Sequence, residues 1–275
     1  MSPYVELHCH SNFSFQEGAS TIEELIARAV DLGYPALALT DHDNLSGALR
    51  FARKAKRADL KPITGAELSL ADLSSDAEAG VSGADAAVTI GTARGSRALP
   101  LTSHLTLLAA SPVGYRNLCN LISRSATQSD RRAPRLDPAL LPAHADGLIA
   151  LSGCAHGPIP RALDAGRWDD ARRLATQYLD WFGDRFYLEL QHNLVRGDIP
   201  RMRSLVALGR DLGIPLVATN NAHYHVKDRH RLQDCLVSIS HRKSLENSHQ
   251  ERRANAEFCL KSADQMTRLF AELPE

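Results

Sequence analysis

Short runs rich in Leu, Ile, Val and Ala alternate with longer helical patterns almost from end to end of this 275-residue chain, and no other feature restricts its fold as much. Parallel strands need a crossover, usually a helix, so repeated βα units build a parallel sheet covered by helices. The predicted strands are Tyr4–His8, Ala36–Thr40, Pro62–Leu68, His104–Ala110, Gly147–Ser152, Phe186–Leu190 and Ile214–Thr219. Helices are predicted over Leu45–Ala58, Val113–Ser125 (opened by Ser111-Pro112), Trp168–Phe182 and Ile199–Leu212. An earlier helix is opened by the capping-box run Ser20-Thr21-Ile22-Glu23 and stopped at Gly33. Seven such units point to a closed or nearly closed barrel, with a doubly wound open sheet as the alternative.

Two stretches depart from the alternation. Ala71–Ser103 is rich in small and turn-forming residues and reads as a long insertion, partly disordered or hairpin-like. From Ser238 the chain becomes charged and irregular before Phe258–Lys261 and a last helix capped by Ser262 with Gln265. The division expected is therefore a barrel over residues 1–240 and an appendage over 241–275.

Hydrophobic residues make up 44% of the chain, enough for a packed core. Lys and Arg number 32, as do Asp and Glu, so no whole-molecule field steers the chain toward nucleic acid. Basic surface is local, at Arg50–Lys61 and at Arg131-Arg132 with Arg135. Five scattered cysteines do not resemble a disulfide framework, and neither a signal peptide nor a membrane-length apolar run is present. A cytoplasmic protein with reduced thiols and no membrane partner is expected.

In a βα barrel the active site lies at the carboxyl ends of the strands. Here those ends carry one kind of chemistry. His8 and His10 end the first strand, two apart and so on one side of it. Glu17 follows in the loop, Asp41 and His42 end the second strand and Glu67 the third. Cys154 follows the fifth, and Asn221 and His223 the seventh. His104 begins its strand instead of ending it, and reaches the same place only if the insertion folds back as a hairpin arm. These residues offer N, O and S atoms to transition metals, and they are too many for one ion. Asp41, His192 and His225 are the candidates for support behind them; His144, His156, His230, His241 and His249 are read as surface or supporting residues.

The runs His8-Cys9-His10, Thr40-Asp41-His42, Gly65-Ala66-Glu67, His104–Ala109, Leu151-Ser152-Gly153-Cys154 and Ala218–Tyr224 resemble, in order, motifs of the PHP family, the polymerase and histidinol phosphatase domain. Lys61-Pro62-Ile63-Thr64-Gly65 and Gly114-Tyr115-Arg116-Asn117-Leu118 are similar to flanks specific to the PHP domain of bacterial C-family DNA polymerase III α subunits. Val217–Asn221 and Asn255-Ala256-Glu257-Phe258 resemble the error-prone branch of that group.

The resemblance implies a distorted seven-stranded (β/α)7, TIM-barrel-like fold with a trinuclear centre; two or three divalent ions, Zn, Mn or Fe, are expected. It implies nine ligands: His8, His10, Glu17, His42, Glu67, His104, Cys154, Asn221 and His223. Glu17 and Asn221 stand where many relatives have aspartate; the first change keeps the charge, whereas the neutral amide of Asn221 binds a transition metal more weakly.

The expected activity is phosphoester hydrolysis by water that a metal acidifies to a pKa of about 7, as a proofreading-type 3′–5′ exonuclease on DNA 3′ ends. The expected partners are the remaining polymerase domains or replication and repair proteins. The chain is too short to contain a polymerase palm. A non-catalytic, metal-stapled module and a small-molecule phosphatase of the histidinol-phosphatase type are the alternatives.

Overall fold

A computed structural model describes residues 3–71, 103–129 and 133–273. Residues 72–102, which hold nearly all of the expected insertion, and Arg131-Arg132 lie outside the described residues.

Six strands stand side by side in chain order: β1 (Ala36–Leu39), β2 (Lys61–Leu70), β3 (Ser103–Ala109), β4 (Leu148–Leu151), β5 (Phe186–Gln191) and β6 (Leu216–Thr219). β1 pairs parallel with β2, and β4, β5 and β6 are parallel to one another. β3 runs against both of its neighbours, which corrects the expectation of an all-parallel sheet. Its reversal has a direct consequence, because Ser69 near the end of β2 pairs with His104 at the start of β3.

The seventh strand expected at Tyr4–His8 makes no ladder. Its backbone forms single bridges instead, Glu6 with Leu37 on β1 and Cys9 with Ala222 beyond β6. The sheet curls so that both of its outer strands reach this N-terminal segment. The cause is Glu6, whose buried carboxylate accepts from the amides of His8 (3.0 Å) and Asn220 (3.1 Å) and from the Tyr4 hydroxyl (2.9 Å). A side chain has taken amides that a partner strand would otherwise use. Four backbone bonds remain: Ala38 N to Glu6 O, Thr40 N to Cys9 O, Ala222 N to His8 O and His10 N to Ala222 O, all at 2.8–2.9 Å.

The helices are α1 (Ile22–Asp31), α2 (Ala48–Arg57), α3 (Pro112–Gln128), α4 (Pro158–Asp164), α5 (Trp168–Phe182), α6 (Asp198–Leu212), α7 (His230–Ser240) and α8 (Ala263–Leu269). α1 is capped one residue later than expected, by Thr21 with Glu24. Ser20 is drawn away because its hydroxyl accepts from the His225 amide (2.9 Å) and meets His225 Nδ1 at 2.7 Å. The caps expected at Ser111 and at Ser262 with Gln265 are both formed. α4 and α7 were not expected. Pro158 and Pro160 both sit in the first turn of α4, where a missing N–H costs little.

Strand parity sorts the side chains into two faces. Ala66, Leu68, Leu105, Leu107, Ala150, Phe186, Leu188 and Leu190 pack in the main core with Leu118 and Leu121 of α3, Tyr178 and Phe182 of α5, and Leu205 of α6. The alternate positions Glu67, His104, Thr106, Glu189 and Gln191 therefore point to the opposite, inner face. Beyond α7 the chain returns to the sheet: Cys259 bridges Tyr224, and the His223 amide donates to Phe258 O at 2.8 Å.

Candidate metal centre

The Glu67 carboxylate, 2% exposed, is approached by four imidazoles from three parts of the chain. His8 Nε2 lies 3.5 Å from Oε1, His10 Nε2 3.4 Å from Oε2, His42 Nε2 3.0 Å from Oε2 and His104 Nδ1 3.3 Å from Oε1. The ligand atoms of His8, His10 and Glu67, and those of His42, Glu67 and His104, form two sets, each compact enough to hold a metal ion. His104 reaches the cluster because β3 is reversed. Glu17 comes within 3.8 Å of His42, Cys154 Sγ within 3.5 Å of His104, and the His223 ring stacks on His10 at 4.4 Å. Asn221, at φ +47°, shares with Glu17, His42, Glu67, His104, Cys154 and His223 the wall of one cavity of ≈160 Å³. All nine candidates thus converge.

Hydrogen bonds behind the rings fix which nitrogen faces inward. The Ser14 hydroxyl donates to Asp41 (2.7 Å) and accepts from the His42 amide (3.0 Å). Its only proton is used, so His10 Nδ1, 3.1 Å away, must donate to it. His10 Nε2 then carries a lone pair toward Glu67. Asp41 is buried and also accepts from the Ser11 amide (2.7 Å) and hydroxyl (2.8 Å), so it lies behind the rings of His10 and His42. His8 Nδ1 is held 2.7 Å from Glu189, a buried carboxylate on β5, with Thr106 and Gln191 each at 3.3 Å.

Burial lowers the pKa of His8, but Glu189 and Glu67 more than offset this and raise it to about 10. Burial also opposes the charge on His42, and Glu17 with Glu67 override it upward. Glu67 would be pushed up by burial, yet His104, His8 and His42 hold it well below the usual carboxylate range. By contrast burial dominates at His10 and His223, which are lowered and neutral. Burial, with the nearby Glu67 charge, pushes the Cys154 thiol up. Protons on the rings supply positive charge that the carboxylate demands.

Two expected supports lie elsewhere. His192 follows Gln191, which points inward, so parity turns it out, where its Nδ1 meets Leu269 O at 3.1 Å and its ring meets Phe270. His225 is held by Ser20 and does not line the cavity. His156, read as a surface or supporting residue, lines the cavity with its ring 5.4 Å from His104. Its place two residues after Cys154 was the available signal. Burial, together with His104, lowers its pKa to about 4. Glu189 was hidden inside a predicted strand, and Arg253 lies over 180 residues from Glu67, in a stretch without periodicity.

A family model described as the PHP domain matches residues 6–193. The chain belongs to the PHP family. The matched span contains seven of the converging residues, and Asn221 and His223 lie beyond it. An error-prone DNA polymerase of Symbiobacterium thermophilum is 40% identical over 99% of this PHP chain, which covers 24% of that protein. A DNA polymerase III subunit alpha of Borreliella burgdorferi is 35% identical over 100% of the chain and 23% of its own length. An error-prone DNA polymerase of Mycobacterium tuberculosis is 37% identical over 99% and 23%. The chain therefore spans about a quarter of the length of these relatives. No helix among the described residues is long and apolar enough to cross a membrane.

Proposed function

We propose that this PHP domain is a divalent-metal-dependent phosphodiesterase that removes nucleotides from DNA 3′ ends, working beside the remaining domains of a C-family polymerase. One observation carries the reading: the His10 Nε2 lone pair faces Glu67 Oε2 at 3.4 Å, and His8 Nε2, His10 Nε2, Glu67 Oε1 and Asn221 Oδ1 are buried without a hydrogen-bond partner. A lone pair set against a carboxylate, both away from water, is costly unless a cation lies between them. The donor set of imidazole nitrogens, carboxylate oxygens and one thiol suits zinc, manganese or iron.

His8, His10 and Glu67 would hold one ion, and His42, Glu67 and His104 a second; Glu17, Cys154, Asn221 and His223 extend the set toward a third. A divalent ion held there polarises a phosphoryl oxygen and acidifies water. Glu189 and Ser14 keep the Nε2 atoms of His8 and His10 aimed inward. Support for a DNA substrate comes from the polymerase relatives.

The test is manganese- or zinc-dependent release of nucleotides from a 3′-labelled single strand. His8→Ala with His10→Ala is expected to abolish release. Release that survives this double change would refute the proposal. Bound metal without turnover of DNA would favour the stapled module, and turnover of histidinol phosphate far above DNA would favour a metabolite phosphatase.

A further inference from the structure

We propose that Arg253 is the residue that grips the phosphate of the substrate, an inference that rests on the phosphoesterase reading above. Two arginines line the cavity, Arg201 and Arg253. Arg201 is already committed, with Asp164 at 2.8 Å and Asp198 at 3.3 Å. Arg253 has no carboxylate ion pair among the described residues. Its Nε is buried without a hydrogen-bond partner.

The guanidinium is nevertheless held in place. It lies over the Phe258 ring, 4.3 Å from the centroid, and the ring face both attracts it and fixes its plane. One of its Nη2 protons is directed at His223 Nε2. A neutral imidazole has a single acceptor lone pair. When His223 gives that pair to a cation, Arg253 is left with donors facing the cavity, beside the Glu67 cluster and with no acceptor among the described residues to receive them.

A planar fork of N–H donors with no carboxylate partner matches two oxygens of a phosphate. Arg253 stands outside the span matched by the family model, on the segment that also supplies Phe258. The grip thus comes from a part of the chain remote from Glu67 and His104.

The experiment measures inorganic phosphate affinity, as inhibition of 3′-end hydrolysis and by calorimetry on the manganese-loaded chain, for the wild type, R253Q and R253K. Metal content and melting temperature are recorded for each. Removal of a charged, bidentate partner is expected to weaken phosphate binding about 10- to 100-fold in R253Q, with metal content unchanged. R253K, a point charge without the fork, should fall between. The loss should appear in KM more than in kcat. Phosphate affinity unchanged in both variants would overturn the proposal, as would loss of metal in R253K, which keeps the charge. Wild-type chain that holds manganese but binds no phosphate would overturn the phosphoesterase reading itself, and the grip with it.

Discussion

Glu189→Gln is expected to weaken divalent-cation binding although Glu189 need never touch the ion. The carboxylate is 1% exposed and accepts on Oε1 from the Thr219 hydroxyl and the Gln191 amide while holding His8 Nδ1 at 2.7 Å. With a charged acceptor there, His8 keeps its proton on Nδ1 and offers Nε2 to the ion. A glutamine either retains the oxygen and loses the charge, making His8 a poorer base, or turns its NH2 toward the ring and forces the wrong tautomer. Supporting residues of this kind are typically worth about 10- to 100-fold in metal affinity, or roughly 1.4–2.7 kcal/mol. At an ion concentration 100 times the wild-type Kd, binding stabilises the fold by about 2.7 kcal/mol; with the affinity cut as above, that falls to roughly 1.4–0.4 kcal/mol. The assay is a competition titration against a chromogenic chelator, paired with melting curves at fixed manganese. An affinity within about twofold of wild type would refute the argument that Glu189 sets the His8 tautomer.

Asn221→Asp places a charge at a buried Oδ1 that has no partner, and is expected to raise metal content per chain by elemental analysis; unchanged content would mean that Asn221 is not at a binding position. Gly114→Ala is expected to destabilise the fold by about 1–3 kcal/mol or more in urea unfolding, because its Cβ would lie 1.8 Å from Gly147 O, a backbone atom that cannot swing aside. A loss below about 0.5 kcal/mol would show that α3 and the turn before β4 separate easily.

How much was legible follows from how far apart the causes lie. Ser111 caps the helix after it and Ser262 pairs with Gln265 within one turn, so those starts could be read locally. The gathering of His8, His10, His42, Glu67 and Cys154 was readable because βα alternation sends predicted strand ends to one side, and it holds although Tyr4–His8 forms only bridges and Glu67 lies inside β2. The run Gly114–Leu118, recognised only by resemblance, gains a physical reason: Gly114 abuts Gly147, and the Asn117 amide donates to Asp146 O at 2.9 Å. The reversal of β3 was not readable, since the direction of a strand relative to its neighbours is a property of the pairing. Nor was the loss of the first ladder, which depends on Glu6 capturing an amide 214 residues away.

By itself, then, the order of residues determined which chemistry is available: imidazoles, carboxylates and a thiol at the ends of strands, in a family-typical sequence. Only the tertiary structure decided that His104 joins them, that Glu189 and Ser14 set their tautomers, and that His156 and Arg253 belong to the cavity while His192 and His225 do not. The physical reason is that side-chain identity is local. Which lone pair faces which carboxylate is settled by hydrogen bonds between segments that meet only after folding.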